Sequence, residues 1–246
     1  MNILFATSEA TPLIKTGGLA DVSGSLPPTL RHQGDDVRLV LPAYPAVLQK
    51  VSQTVNLAQL QVPGHSGPVR ILSAQAPGLQ LPLYLVDAPG LFDRKGNPYV
   101  DSDGLDYPDN AQRFAAFCHA IVALALGRAD RWQPEVVHCN DWQTGLVPAL
   151  LSQEWQRPAT VFTIHNLAYQ GQFDRATADA LQLPAPLWSP DGLECHDNFT
   201  FIKGGIAFAD MVTTVSPRAG IREAALHLQK HKYGCLPVVD KGRLVG

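Results

Sequence analysis

The sequence carries little charge and has no excess of positive charge. Aspartate and glutamate (22) outnumber lysine and arginine (19), and charged residues make up only 17% of the 246 residues. A nucleic-acid-binding protein normally presents a basic face, so the composition argues against that class. Disordered chains are poor in hydrophobic residues, whereas 46% of this chain is hydrophobic. The composition therefore predicts a globular protein with a sizeable core and no nucleic-acid partner.

Long apolar segments are also missing. The longest uninterrupted apolar run, 120–126, is far shorter than the ~20 residues that a membrane-spanning helix needs. The first residues, MNILFAT, lack the basic segment of a secretory signal and become polar at once. We therefore expect a cytoplasmic protein that does not bind membranes.

Cysteine is scarce, with no closely spaced pair and no spacing typical of zinc ligands. The four cysteines are Cys118, Cys139, Cys195 and Cys235. We expect free thiols in a reducing compartment. The most ligand-like pair is His227 and His231, four residues apart on a predicted helix, but it lacks a third ligand nearby. The sequence therefore predicts no metal and no cofactor.

The sequence does contain a regular alternation of strand-like and helix-like segments. The predicted strands are 2–7, 37–41, 69–73, 81–86, 135–139, 159–164 and 211–215. One predicted helix begins near Gly18, and three others cover 110–127, 142–155 and 199–209. Such an order is typical of right-handed β-α-β units. It predicts an α/β fold, with a Rossmann-like, mainly parallel sheet and helices on both faces.

Ligands bind such sheets at the carboxyl ends of the strands, and the first predicted strand leads to a glycine-rich segment. In KTGGLAD, residues 15–21, Gly17 and Gly18 let the backbone approach a ligand closely. The helix that follows directs free N–H groups at the same point, and Lys15 adds a mobile positive charge. The segment has the features of a pyrophosphate site. A tight turn between strand and helix explains the glycine pair equally well.

Two more polar segments follow predicted strands, HCNDW at 138–142 and TIHNLAYQG at 163–171. Asp141 could hold sugar hydroxyls beside Trp142, or it could cap the following helix, because aspartate is a favoured N-cap. A lone histidine such as His165 is usually structural. Since the polar ends of three strands converge on one edge of the sheet, we expect a binding site there.

Two long connections, 82–108 and 170–199, are rich in glycine, proline and polar residues. Connections of this length in a compact α/β domain are typical of lids and binding loops.

Several of these motifs resemble the bacterial glycogen synthases and plant starch synthases that use ADP-glucose. The motifs are KTGGLADV, LVDAP, NPY, HCNDW, TIHNLAYQG and ADMVTTVSP. They occur in the family's order from Met1 to about Pro217. The resemblance implies a retaining glucosyltransferase of the GT-B fold, which transfers glucose from ADP-glucose to the non-reducing end of an α-1,4-glucan such as glycogen. Two Rossmann-like domains face each other across a cleft in that family, and this chain resembles the N-terminal, acceptor-side one.

The resemblance implies roles for residues on the donor side. Lys15 would bind the sugar nucleotide, and the amides of Gly17 and Gly18 would lie against its phosphates. His165 would hydrogen-bond the donor glucose, with Asn166 beside it in the same motif. The candidate catalytic residues are His165, Asp141 and Lys15.

The remaining site residues line the cleft in the family. Asp21 and Asp141 match cleft aspartates, and Tyr99 matches a tyrosine near the glucan acceptor. Asn140 and Gln143 stand where the family usually has histidines, which affects the acceptor side but leaves Asp141 in place. A second departure is Pro27-Pro28, which we expect to interrupt the first helix.

The end of the chain differs from the family. From about Ser216 it resembles the first part of a CBS module, with a helix at 221–230, a strand at 234–240 and a turn at 240–243 leading into another strand. We therefore expect two parts, a synthase N-terminal domain at 1–217 and a partial CBS-like segment at 218–246. The family's C-terminal nucleotide-binding domain is not in the sequence, so we expect a truncated or recombined product that is inactive alone.

Two other interpretations stay open. The chain could be a non-catalytic regulatory module that binds glucan or an adenosyl nucleotide. It could also be a defective fragment with exposed apolar surface, which would self-associate through the cleft face or the CBS-like tail.

Overall fold

The computed structural model describes residues 1–214 and two short strands near the C-terminus. The strands are β1 (Asn2–Ala6), β2 (Asp36–Pro42), β3 (Ser52–Val62), β4 (His65–Ala76), β5 (Leu79–Asp87), β6 (Val136–Asn140), β7 (Ala159–Ile164), β8 (Gln172–Asp174), β9 (Glu194–Cys195), β10 (Asn198–Thr200), β11 (Met211–Thr214), β12 (Val239–Asp240) and β13 (Arg243–Leu244). The helices are α1 (Gly18–His32), α2 (Pro45–Leu48), α3 (Pro89–Phe92), α4 (Asn110–Ala125), α5 (Leu146–Leu151), α6 (Arg175–Ala180) and α7 (Phe201–Phe208). Single 3-10 turns lie at Trp142–Thr144 and Ala185–Leu187.

An eight-stranded, mainly parallel sheet forms the centre of the molecule, which confirms the predicted fold class. Its order is β11-β7-β6-β1-β2-β5-β4-β3, with parallel pairing from β11 to β5 and antiparallel pairing of β4 and β3 at one edge. The chain moves outward from β1 to β2 and later returns to the other side of β1 at β6. Right-handed crossovers in these opposite directions place α1 and α4 on opposite faces of the sheet. The direction of winding changes between β1 and β6, where doubly wound sheets bind ligands.

The core lies where parallel strands meet helices on both faces. Phe5 in β1 and Phe162 in β7 have no solvent exposure, as expected for strands covered on both sides. Helix α4 is buried along almost its whole length and carries Phe114 and Phe117 into this core. A helix that is apolar on most of its surface can only be stable inside a domain, so α4 anchors the segments before and after it.

Two helices differ from the prediction. The expected interruption at Pro27-Pro28 is wrong, because α1 continues through both prolines to His32. Pro27 is buried, so tertiary packing holds the helix where two N–H donors are missing. The single helix predicted at 142–155 is also wrong, because the structure has a 3-10 turn followed by α5, which ends at Leu151.

Two segments have more structure than the sequence predicted. Strand β3 was not predicted, and it pairs with β4 in an antiparallel edge hairpin. The connection at 170–199 contains α6, and its strands β8 and β9 pair with β10 in a separate three-stranded sheet.

Most predictions about the C-terminal segment lie outside the described residues. These are the helix at 221–230, most of the strand at 234–240, the pair His227 and His231, and Cys235. Strands β12 and β13 pair antiparallel, with Asp240 opposite Arg243, and the turn predicted between them falls on residues outside the described part of the chain. The CBS-like assignment and the boundary at Pro217 stay predictions.

The described part of the chain holds Cys118 and Cys139 as buried free thiols and Cys195 as a partly exposed one. None of its helices is both long enough and apolar enough to cross a bilayer.

Candidate active site

A cleft of about 890 Å³ opens at the carboxyl ends of the central strands. Glu9 follows β1, Asp141 follows β6 and His165 follows β7, and all three line this cleft. The cleft therefore lies at the ends of β1 and β6, between which the direction of winding changes, and doubly wound sheets bind ligands at that place.

Six of the eight predicted site residues line the cleft: Gly17, Gly18, Tyr99, Asp141, His165 and Asn166. Lys15 and Asp21 are not among the lining residues. The Lys15 Nζ donates to both carboxylate oxygens of Asp21, at 2.7 and 2.8 Å, and both side chains are more than half exposed. Asp21 thus pairs with Lys15 in this structure instead of facing the cleft.

Glu9 is a cleft residue that the sequence analysis missed. Its buried carboxylate accepts hydrogen bonds from the Thr16 amide, from the Thr16 hydroxyl at 2.7 Å and from the Gly17 amide at 3.4 Å. The Tyr99 hydroxyl also donates to Glu9 and lies 2.8 Å from the Ser8 hydroxyl oxygen. Glu9 therefore ties the glycine-rich segment to Tyr99. An acidic residue just after a buried strand was the signal available in the sequence.

Asp141 does not act as the N-cap that the sequence allowed. Its Oδ1 accepts the backbone N–H groups of His165 at 2.7 Å and Asn166 at 3.3 Å, and its side chain makes no capping bond. Its backbone has φ 57° and ψ 179°, a conformation that is costly for any residue except glycine. Burial, with a smaller contribution from the charge of Glu9, raises the pKa of Asp141 to about 6 against the two amide hydrogen bonds.

His165 is held as a neutral imidazole. Its Nε2 lies 3.0 Å from Oδ1 of Asn140, whose Nδ2 donates to the carbonyls of Ala6 at 3.1 Å and His138 at 3.3 Å. Because those bonds fix the Asn140 amide, Nε2 of His165 must carry the proton and Nδ1 is left as an acceptor. Burial lowers the pKa of His165 to about 4, so the ring is uncharged at neutral pH.

Trp142 forms an aromatic wall of the cleft. Its ring packs at 4.9 Å from Phe114 and at 5.9 Å from Phe201, measured between centroids. A Cβ atom on Gly171 would lie 2.3 Å from the Trp142 ring, and Gly171 has φ +59°. Only glycine lets the loop after β7 close against this tryptophan.

Two buried residues, Asn110 and Arg113, hold the segment that carries Tyr99, and the sequence analysis missed both. The Asn110 Nδ2 donates to the Tyr99 carbonyl at 2.9 Å. Arg113 donates from Nη1 to the Asn110 Oδ1 at 2.6 Å and to the Pro98 carbonyl at 2.9 Å. Nothing in a helical sequence pattern distinguishes such an arginine from an exposed one.

The cleft is acidic and rich in hydrogen-bonding groups. Among residues 1–214, no lysine or arginine lines it, whereas Glu9 and Asp141 both do. The same residues contain no group of three histidine, cysteine, aspartate or glutamate side chains arranged to hold a metal ion. The arrangement suits a ligand with many hydroxyl groups, and Lys15 lies outside the lining.

Comparison with known proteins identifies relatives over most of the chain. The glycogen synthase of Thioalkalivibrio sulfidiphilus is 58% identical over 219 residues, which cover 88% of this chain and 45% of that protein. Glycogen synthase 2 of Nitrosococcus oceani is 54% identical over 242 residues, covering 98% of this chain and 48% of that protein. The chain thus spans about half the length of the curated relatives it matches.

A solved structure shows the same architecture. The catalytic domain of starch synthase IV from Arabidopsis thaliana, bound to ADP and acarbose, superposes with a TM-score of 0.76 and 26% identity. The match covers 94% of this chain and 49% of that one. The family of starch synthase catalytic domains matches residues 2–230, beyond the boundary predicted near Pro217. The chain therefore belongs to the starch synthase catalytic domain family, which confirms the resemblance seen in the sequence motifs.

Proposed function

We propose that this chain serves the transfer of glucose from ADP-glucose to the non-reducing end of an α-1,4-glucan, with retention of configuration. The observation that carries the proposal is the convergence of Gly17, Gly18, Tyr99, Asp141 and His165 on one cleft, in a chain of the glycogen and starch synthase family. The starch synthase relative bound to ADP supports an adenine nucleotide as donor.

Donor phosphates would bind at the rim formed by the glycine-rich segment. As ADP leaves, negative charge grows on its phosphate, and a cation is needed there. Lys15 lies two residues before Gly17 and pairs with Asp21 in the present structure, through an exposed ion pair that water screens. If a donor phosphate replaced Asp21 as the partner of Lys15, the ammonium group would lie at the leaving group and stabilise its negative charge.

The glucose would be oriented by His165 and Asp141. The unprotonated Nδ1 of His165 can accept a hydrogen bond from a sugar hydroxyl, and the Asp141 carboxylate can accept a second one. Both groups are held by backbone or amide hydrogen bonds, so they need no reorganisation when the sugar binds. Tyr99, bonded to Glu9, lines the same cleft and would contact the acceptor glucan.

The test separates donor from acceptor binding. Calorimetry of the purified chain with ADP-glucose, UDP-glucose and maltoheptaose is expected to show preferred binding of ADP-glucose. Lys15→Ala is expected to weaken the binding of ADP-glucose and to leave the binding of maltoheptaose unchanged. Tyr99→Phe is expected to weaken the binding of maltoheptaose and to leave that of ADP-glucose unchanged. Arg128→Ala, which removes a surface ion pair with Glu154, is the matched control.

Transfer of labelled glucose from ADP-glucose to glycogen is the direct assay. The chain alone is expected to be inactive, so Lys15→Ala is tested on any residual transfer, which it is expected to lower at least ~100-fold, since a group that stabilises developing charge is worth that much. Measurable transfer at the same rate in the unmodified chain and in Lys15→Ala would overturn the assignment. Glucan binding without any transfer by the unmodified chain would favour a non-catalytic glucan-binding module. Self-association through the cleft face or the C-terminal segment stays a prediction, to be checked by light scattering.

A further inference from the structure

A second cavity, of about 250 Å³, lies beneath the segment that carries Tyr99. Its polar lining comes from Tyr44, Gln49, Arg94, Asn97 and Arg113, and its apolar lining includes Ile14, Phe92 and Pro98. Asn97 lines both this cavity and the cleft, so one short segment separates them. Nothing in the proposed glucosyl transfer uses this second cavity.

Arg113 brings a buried positive charge to the cavity without an acidic partner. The residue has no solvent exposure, and no carboxylate within residues 1–214 lies at ion-pair distance from it. Its hydrogen bonds go to the Leu91 and Pro98 carbonyls and to Asn110, and its guanidinium lies 4.4 Å from the Tyr107 ring centroid. Burial lowers the pKa of Arg113 below its ordinary value. A buried cation is costly unless a negative group compensates it, so this cavity favours an anion.

Tyr44 brings a hydroxyl group that has no partner. The side chain is 3% exposed, and its buried oxygen finds no hydrogen-bond partner among the described residues. An unsatisfied buried hydroxyl costs free energy, whereas an anion in the cavity would accept its proton in a hydrogen bond. Burial raises the pKa of Tyr44, so the hydroxyl keeps that proton.

Arg94 completes the basic side of the cavity. Its Nη2 is 2.6 Å from Asp109 Oδ2 and 2.7 Å from the Gly90 carbonyl oxygen, so Arg94 is already neutralised by one carboxylate. Among the described residues, two arginines and no carboxylate line the cavity, and the charge of Asp109 acts on both arginines, so positive charge is in excess at the lining. One liquid water occupies about 30 Å³, so the volume suits a tetrahedral oxyanion with up to a few attached carbon atoms.

We propose that this cavity binds a small phosphate, either inorganic phosphate or the phosphate group of a small ester, between Arg113, Arg94 and the Tyr44 hydroxyl. Bound phosphate stabilises the segment 93–99, because Arg113 also holds the Pro98 carbonyl and Asn97 borders both cavities. The site thereby controls the mobility of Tyr99. Only its effect on glucan binding rests on the proposed function, and the phosphate site itself does not.

The experiment measures binding of inorganic phosphate by calorimetry at constant ionic strength, with chloride as the competing anion. Phosphate is expected to bind the unmodified chain, raise its melting temperature and protect the amides of 93–99 from hydrogen exchange. Tyr44→Phe is expected to weaken binding about tenfold or more, the effect of a lost hydrogen bond to a charged group. The same variant should keep its melting temperature in phosphate-free buffer, because it loses only an unpaired hydroxyl. Arg94→Gln is expected to weaken binding, and Arg128→Gln is its control.

Two further arms identify the ligand and the site. Glycerol 3-phosphate, with glycerol as control, distinguishes an ester from free phosphate as the preferred source. Lys15→Ala tests the glycine-rich segment, and it is expected to leave phosphate binding in the cavity unchanged. Phosphate binding that Lys15→Ala abolishes and Tyr44→Phe preserves would overturn the proposal. Absence of binding for both phosphate and the ester would overturn it as well.

Discussion

Asp141 carries a carboxylate whose ionisation depends on its immediate surroundings. Burial and, to a smaller extent, the charge of Glu9 raise its pKa to about 6, while hydrogen bonds from the amides of His165 and Asn166 oppose the shift. Glu9 is itself held by Thr16, Gly17 and Tyr99. At the scale of single residues, the ionisation of Asp141 therefore depends on its burial, on two backbone donors and on a neighbouring carboxylate.

Glu9→Gln is predicted to lower the pKa of Asp141, because it removes a neighbouring negative charge but keeps one oxygen that can still accept the Thr16 amide. Carbon-13 NMR titration of the Asp141 carboxyl group measures this directly. Asp21→Asn is the control, since Asp21 is paired with Lys15 and is absent from the groups that influence Asp141. A rise in the pKa of Asp141 in Glu9→Gln would contradict the electrostatic account.

At the scale of elements, glycines set how closely helices and loops approach each other. Gly145 precedes α5, and a Cβ there would lie 2.1 Å from the Phe201 carbonyl oxygen at the start of α7. Gly205, within α7, would place a Cβ 2.5 Å from the Phe162 ring of β7. These contacts bring α5, α7 and β7 together beneath the cleft, so the position of Trp142 and of the loop after β7 depends on them.

Gly145→Ala is predicted to destabilise the chain by about 1–3 kcal/mol, because the added methyl group overpacks against backbone atoms that cannot rotate away. Gly90→Ala, in α3, is the matched control. A Cβ at Gly90 meets nothing within 4 Å, so its effect is expected to stay within about 1 kcal/mol. Urea unfolding followed by circular dichroism compares the two. Equal stability of both variants would show that α5 and α7 can separate without cost.

At the scale of the whole molecule, buried histidines make folding sensitive to acid. Burial lowers the pKa values of His119, His138 and His165 to about 4 each. A histidine with a lowered pKa contributes stability that is present above its unfolded value near 6.5 and is lost as the pH falls toward 4. Asp141, with its raised pKa, acts in the opposite sense, and its contribution to stability is largest below about pH 4.

The free energy of unfolding is therefore predicted to fall between pH 6.5 and pH 4, since three histidines outweigh one aspartate. Each histidine accounts for roughly 2–3 kcal/mol over that range. His138→Gln is expected to reduce the slope of stability against pH, because one proton fewer is taken up on unfolding. His32→Gln, at the exposed end of α1, is the matched control. Chemical unfolding at a series of pH values measures the slope, and a flat profile would disprove the prediction.

The pattern of apolar runs was enough to predict most of the sheet but not its edges. The strand predicted at 159–164 is found as β7, and the helix predicted at 110–127 is found as α4, because both lie in the core where burial enforces periodicity. Strand β3 was missed because it is largely exposed and carries no clear alternation. The helix through Pro27-Pro28 was misjudged because tertiary packing overrides local proline geometry.

The sequence by itself determined the fold class, the family and the three strand ends that meet at the cleft, because strand direction in a parallel sheet brings those ends to one edge. Only the tertiary structure decided how those ends are used. The Asp141 side chain accepts hydrogen bonds from the amides of His165 and Asn166 instead of capping a helix. Lys15 pairs with Asp21 outside the cleft lining. Buried groups such as Glu9 and Arg113 became visible only with their surroundings, because the chemistry of a charge depends on partners that are distant in the chain.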